Sequence, residues 1–164
     1  MTIESDLQRI AEQEQSLCFD RFDADTAWQL GSTLYSLAAS RGAPVAIDIH
    51  VNGQQLFFCA LPGATPSNAD WIRRKRNTVD RFQRSSYAIG LGLSRDHTSL
   101  EAKTGASTAD FATHGGSFPI RVKGCGCIGS VTVSGLPQRQ DHALVVEGLC
   151  ASLNQALAPL ALEP

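Results

Sequence analysis

An α+β architecture, helices packed on a central antiparallel sheet, is what the sequence predicts, and three observations predict it. Val45, Ile47, Ile49 and Val51 alternate with Ala46, Asp48 and His50, and Asn52-Gly53 then leads into Gln54–Ala60, a strong short hairpin signal. Phe118, Ile120 and Val122, then Cys127, Val131 and Val133, repeat the alternation around a turn at Gly124-Cys125-Gly126. Stretches with apolar residues at helical spacing surround these two hairpins. Hairpins build antiparallel sheets, so layered helices on such a sheet follow more naturally than a doubly wound fold.

From Thr2, the residues Leu7, Ile10, Ala11, Leu17 and Cys18 recur at roughly helical spacing, with Ser5 and Gln8 as a capping box. Asp23 or Asp25 caps the next helix, whose stripe is Ala27, Leu30, Leu34, Leu37 and Ala38, and Gly42 with Pro44 ends it. After the first hairpin, Pro62, Gly63 and Pro66 break the chain. Ser67 with Asp70 then starts a long polar helix to about Ser85, its apolar side being Ile72, Val79 and Phe82. Ser86–Leu100, with glycines at 90 and 92, reads as a short helix passing into a loop, and Ser107–Thr113 as another short helix. Asp141 caps a last helix in which Val145, Leu149, Leu153 and Leu157 face inward until Pro159 stops it.

The 164 residues, 43% of them hydrophobic and 18% charged, suit one compact domain, residues 1–164. A net charge of −2 gives no global attraction to nucleic acid or to an anionic membrane. No segment approaches the roughly 18 apolar residues of a spanning helix, and the first residues, MTIESDLQRIAEQEQ, lack the pattern of a secretory signal. The expected location is therefore the cytoplasm. Five cysteines, odd in number and scattered, are expected to be reduced thiols, mostly small core residues.

Chemistry-bearing residues concentrate in two places. Arg73, Arg74, Lys75, Arg76, Arg81 and Arg84 put six of the fourteen basic residues on one helix, read either as a solvated face or as an anionic-ligand site. The helix lacks the interleaved aromatics of a base-stacking surface, which disfavours nucleic acid. His114 precedes Gly115-Gly116, where bare backbone lets a ligand approach, and so is the candidate acid or base; its alternative is an ordinary loop histidine. His50, His97, His114 and His142 show no zinc-site spacing, so no metal is assigned. Cys125-Gly126-Cys127 is read as turn packing rather than as a redox pair, and Gly-x-Gly between two strands is not a dinucleotide loop.

Several runs also carry a likeness: Trp71-Ile-Arg-Arg-Lys-Arg-Asn-Thr-Val-Asp-Arg-Phe with Ser85-Ser86, Gly115-Gly116-Ser117-Phe118-Pro119-Ile120, Ile128-Gly129-Ser130-Val131-Thr132-Val133-Ser134-Gly135-Leu136-Pro137, and Asp141-His142. Together they resemble the haem-degrading, HbpS-like (GlcG-like) family, in its short cytoplasmic uncharacterised-protein-family branch. The resemblance implies a profilin-like fold with a five-stranded antiparallel sheet between helices, homo-oligomers, and a small-molecule ligand for which haem is the suggested cofactor. By position it places ligand contacts near Lys75, Asn77 and Arg81 and near Gly115, Gly116, Phe118 and Pro119, with Arg73, Lys75 or Arg81 facing an anionic group such as a haem propionate. It transfers no catalytic residue. A non-catalytic interaction module and an enzyme using His114 remain the alternatives.

Overall fold

The computed structural model describes residues 2–163. Its elements are α1 (Ile3–Ser16), β1 (Cys18–Phe19), α2 (Ala24–Ser40), β2 (Ala46–Val51), β3 (Gln54–Ala60), α3 (Pro66–Phe82), α4 (Ser86–Arg95), α5 (Leu100–Thr104), β4 (Ser117–Val122), β5 (Gly126–Ser134) and α6 (Gln138–Ser152). One five-stranded sheet runs in the order β1-β4-β5-β2-β3. The α+β expectation and the two hairpins hold, with Ile47 opposite Cys59 in the first and Phe118 opposite Val131 in the second.

The sheet is mixed rather than wholly antiparallel, because β1 lies parallel to β4, with Cys18 opposite Arg121. Helical spacing assigned Cys18 to the first helix, but that helix ends at Ser16 and the next residues turn into the sheet edge. A strand of two residues offers no alternation to detect. Other boundaries shift for local reasons. Thr2 pairs with Ser5 to cap α1, in place of Ser5 with Gln8. The Asn68 carboxamide accepts the Thr65 N–H at 2.8 Å, so α3 starts at Pro66 instead of at Ser67. The 107–113 segment is turn rather than helix, and α6 ends at Ser152, before Pro159, where Asn154 takes a left-handed φ of 53°.

The two sheet faces are unlike. Ile47, Ile49, Phe118, Ile120, Val131 and Val133 are fully buried against Leu30 and Leu34 of α2 and Val145 and Leu149 of α6. At Gly129 the chain passes so close to β2 that a Cβ would sit 2.0 Å from the His50 carbonyl oxygen. The opposite face carries Asp48, Ser117, Ser130 and Thr132, all buried, and α3 covers it. Asp48 meets the Arg76 guanidinium at 3.0 Å and the Gln55 amide at 2.6 Å. This is why α3 has so few apolar residues yet is half buried: its inward side presents Lys75, Arg76 and Thr78 beside Ile72 and Val79. Phe82 turns away into a smaller cluster with Leu93 and Leu100.

His142 of α6 is buried beneath this framework, tilted against Tyr87 at 5.2 Å. Gln13 donates its amide to the Leu160 carbonyl at 2.7 Å, which leaves its oxygen to accept from His142 Nε2–H at 2.8 Å. Burial, and next the Arg139 charge, push the His142 pKa down to about 3. The folded state therefore refuses a proton that the unfolded chain takes up near pH 6.5, and stability is lost as pH falls from about 6.5 towards 3. Urea-unfolding free energies of wild type are expected to fall over pH 6 to 4 by up to about 1.4 kcal/mol per pH unit more steeply than those of His142→Gln. Parallel pH profiles for the two proteins would contradict this account.

Candidate functional site

Asn68, Trp71 and Lys75 are spaced so that they lie along one stripe of α3. With Ser134, Leu136, Gln138, Asp141 and His114 they line a cavity of about 250 Å³ between α3, the β5–α6 turn and the loop before β4. At its base the Lys75 ammonium lies 2.8 Å from Asp141 Oδ2 and 3.2 Å from the Val133 carbonyl oxygen. Asp141 is not the cap residue expected: α6 already begins at Gln138, and the Asp141 carboxylate accepts the Leu136 N–H at 2.9 Å and the Gly135 N–H at 3.4 Å. Burial lowers the Lys75 pKa and raises that of Asp141, each opposed by the attraction of the partner. Desolvation is thus the larger influence on both groups, and the pair is held by surrounding structure rather than by charge alone.

The Gly-Gly pair serves this arrangement. Gly116 has φ 123°, and a Cβ there would stand 2.4 Å from the Val133 oxygen and 2.8 Å from Lys75 Nζ. A Cβ on Gly115 would meet the Gln138 carbonyl oxygen at 2.2 Å. Both glycines let the loop press against α3 and α6, so they shape the cavity from behind. His114 stands at its mouth, edge-on to Trp71 with ring centroids 4.9 Å apart. Partial burial first, then the Lys75 and Arg74 charges, lower its pKa, so the imidazole is neutral near pH 7 and has a lone pair to offer.

The other residues singled out from sequence lie elsewhere. Arg73, Asn77 and Arg81 form a second stripe of α3 at four-residue intervals, facing the 104–110 loop. Arg73 bonds Asp110 at 3.0 Å and the Ala109 carbonyl at 2.8 Å, Asn77 the Asp110 carbonyl at 2.9 Å, and Arg81 the Thr104 carbonyl at 3.2 Å. Their donors hold a loop in place. Phe118 points into the apolar core on the far side of the sheet, and Pro119 sits opposite Ser130 within it. Neither lines the cavity. Asn68, Trp71, Gln138 and Asp141 are not among the site residues expected from sequence; the spacing of Asn68, Trp71 and Lys75 on one helix face is the signal that could have found the first two. Of the cysteines, Cys150 is buried, Cys125 is exposed at the hairpin tip, and the other three are half buried, fewer in the core than expected.

Residues 22–150 match the family described as haem degrading protein HbpS-like. This chain belongs to the HbpS-like family. A UPF0303 protein of Rhizobium leguminosarum bv. trifolii is 59% identical to it over 164 residues, 100% of this chain and 99% of that protein. A UPF0303 protein of Paraburkholderia phymatum is 59% identical over 162 residues, 99% of this chain and 98% of that protein. Among solved structures, Ybr137w superposes with a TM-score of 0.84 at 29% identity, covering 91% of this chain and 90% of that one. A PduOC:haem complex, with a TM-score of 0.69 at 18% identity over 82% of this chain and 96% of that one, shares the fold of this HbpS-like protein.

Breaking one side of a buried pair strands the other charge, which costs about 3–5 kcal/mol. Lys75→Met and Asp141→Leu are each expected to lower the urea-unfolding free energy by that amount, and the double variant to regain part of it. Additive losses in the double variant would show that the two groups are not coupled.

Proposed function

We propose that the cavity between α3 and α6 binds a small molecule through a carbonyl or carboxylate group. The observation that carries this is the state of Lys75: its ammonium has three donors, Asp141 and Val133 take two, and the third meets no acceptor among the described residues and is left for the cavity that Lys75 lines. A buried, perturbed cation at the base of a cleft is a common mark of a binding site. Trp71 supplies a flat wall and the Gln138 side chain, whose oxygen accepts the Gly115 N–H at 3.3 Å, supplies a further donor.

Haem is the first ligand to try, supported by the family's description and by the PduOC:haem neighbour. The cavity, at about 250 Å³, falls below the roughly 300–1,000 Å³ that encloses drug-sized ligands. A macrocycle is too large to be enclosed, but the residues present fit part of it: Lys75 would hold one propionate, and the neutral His114 imidazole at the mouth would offer a nitrogen to the iron. Haemin added to the purified protein is expected to give a saturable Soret shift at micromolar concentration, weakened at least about tenfold in His114→Ala. No saturable shift would remove haem and leave a smaller carboxylate as the ligand class.

A second reading, assembly of identical subunits, is favoured by a different surface. Trp28 is 66% exposed and, with Tyr35 and Phe58, rims an apolar groove of about 570 Å³ along β3. Phe57 is half buried, packed on Gly31 and edge-on to Trp28 at 5.8 Å. β3 is an edge strand, and Gln54–Ala60 contains no charge or proline to block pairing with the same strand of a second copy. Aromatic residues are enriched at such interfaces. Light scattering after size exclusion is expected to show an oligomer for wild type and a smaller species for Phe58→Lys; a monomeric wild type would refute the reading.

A further inference from the structure

Arg74 occupies an unusual position among the basic residues of α3. Its side chain is only 18% exposed, yet among the described residues its single hydrogen bond runs from Nε to Asp70 Oδ2, at 2.9 Å. Asp70 also accepts from Arg73. The two terminal nitrogens of Arg74 therefore meet no acceptor among the described residues, while the guanidinium carbon lies 4.1 Å from the Trp71 ring centroid. Trp71 in turn packs on His114. Stacking on an aromatic face fixes the plane of a guanidinium, and a fixed fork whose Nη1/Nη2 edge is unused matches the geometry of a carboxylate or phosphate.

The surroundings agree. Arg74 lines a cavity of about 360 Å³ between α3, α4 and the 108–113 loop, walled by Leu93, Leu100 and Phe111. Thr98, Thr108 and Thr113 also border it, and their hydroxyls make no hydrogen bond among the described residues. His114 borders this cavity and the Lys75 cavity alike, so it forms the saddle between them.

We infer that the ligand is elongated and two-ended: it reaches Lys75 with one polar group, crosses His114, and places an oxyanion, carboxylate or phosphate, against the Arg74 fork in the second cavity. This rests on the Lys75 cavity being the ligand site and adds the acidic end. It also explains why two adjacent cavities share one histidine.

The test uses Trp28→Phe protein, in which Trp71 is the remaining tryptophan and reports on its stacked neighbour. Inorganic phosphate and succinate are titrated separately while fluorescence is recorded. A saturable change is expected with at least one of them, weakened at least about tenfold by Arg74→Met, partly restored by Arg74→Lys and unaffected by Lys123→Met, at an exposed lysine that pairs with Asp20 far from both cavities. Circular dichroism checks that each variant is folded. A response to phosphate alone would assign a phosphoryl end, and to succinate alone a carboxylate end. No saturable change with either anion, or an equal affinity in folded Arg74→Met, would overturn the inference. The haemin titration is independent: its failure alongside an oxyanion response removes haem and keeps the acidic end, whereas the converse removes only the second cavity.

Discussion

A buried ion pair organises the α3 side of the molecule. Lys75 and Asp141 are 66 residues apart, and their contact joins the middle of α3 to the first turn of α6 through the end of β5. Two charges withdrawn from water are costly unless every remaining donor and acceptor is met. The turn after β5 meets part of that demand by aiming the Gly135 and Leu136 amides at the carboxylate. The loop before β4 leaves room for the ammonium by having no side chain at Gly116, where a Cβ would stand 2.8 Å from Lys75 Nζ. Among the described residues one lysine donor meets no acceptor, and it borders a cavity, so the constraint that closes this side of the fold also shapes that cavity.

The unlike faces of the sheet follow from the same division. One face is conventional, with isoleucine, valine and phenylalanine buried under α2 and α6. The other is lined with serine, threonine and aspartate, and it can be covered only by a helix that brings polar partners. α3 does this with Arg76 on Asp48 and Lys75 on Asp141 while Ile72 and Val79 fill the gaps. The basic residues of α3 are therefore not interchangeable. Arg73 and Arg81 clamp the 104–110 loop together with the uncharged Asn77 between them, Lys75 and Arg76 face the sheet, and Arg74 lies between the stripes, stacked on Trp71.

Both hairpins, the α2 stripe and the existence of α3 and α6 were legible in the sequence by itself, because alternation, helical spacing and turn residues are local properties that act over a few residues. The family was legible too, in the Gly-Gly-x-Phe-Pro-Ile and Ile-Gly-x-Val-x-Val-Ser-Gly runs, whereas that Lys75 and the His114-Gly115-Gly116 loop border one cavity is a tertiary fact. Tertiary structure alone decided the parallel pairing of Cys18 with Arg121, since two residues carry no pattern. It likewise turned Asp141 from a helix cap into the partner of Lys75, and Phe118 from a ligand contact into core. It sorted a uniform-looking basic run into loop clamps, a buried partner and one under-used guanidinium. The physical reason is common to all of these: which charge meets which depends on segments far apart in the chain, and desolvation at the meeting point, which no local pattern encodes, decides whether a polar residue binds a ligand or holds the fold.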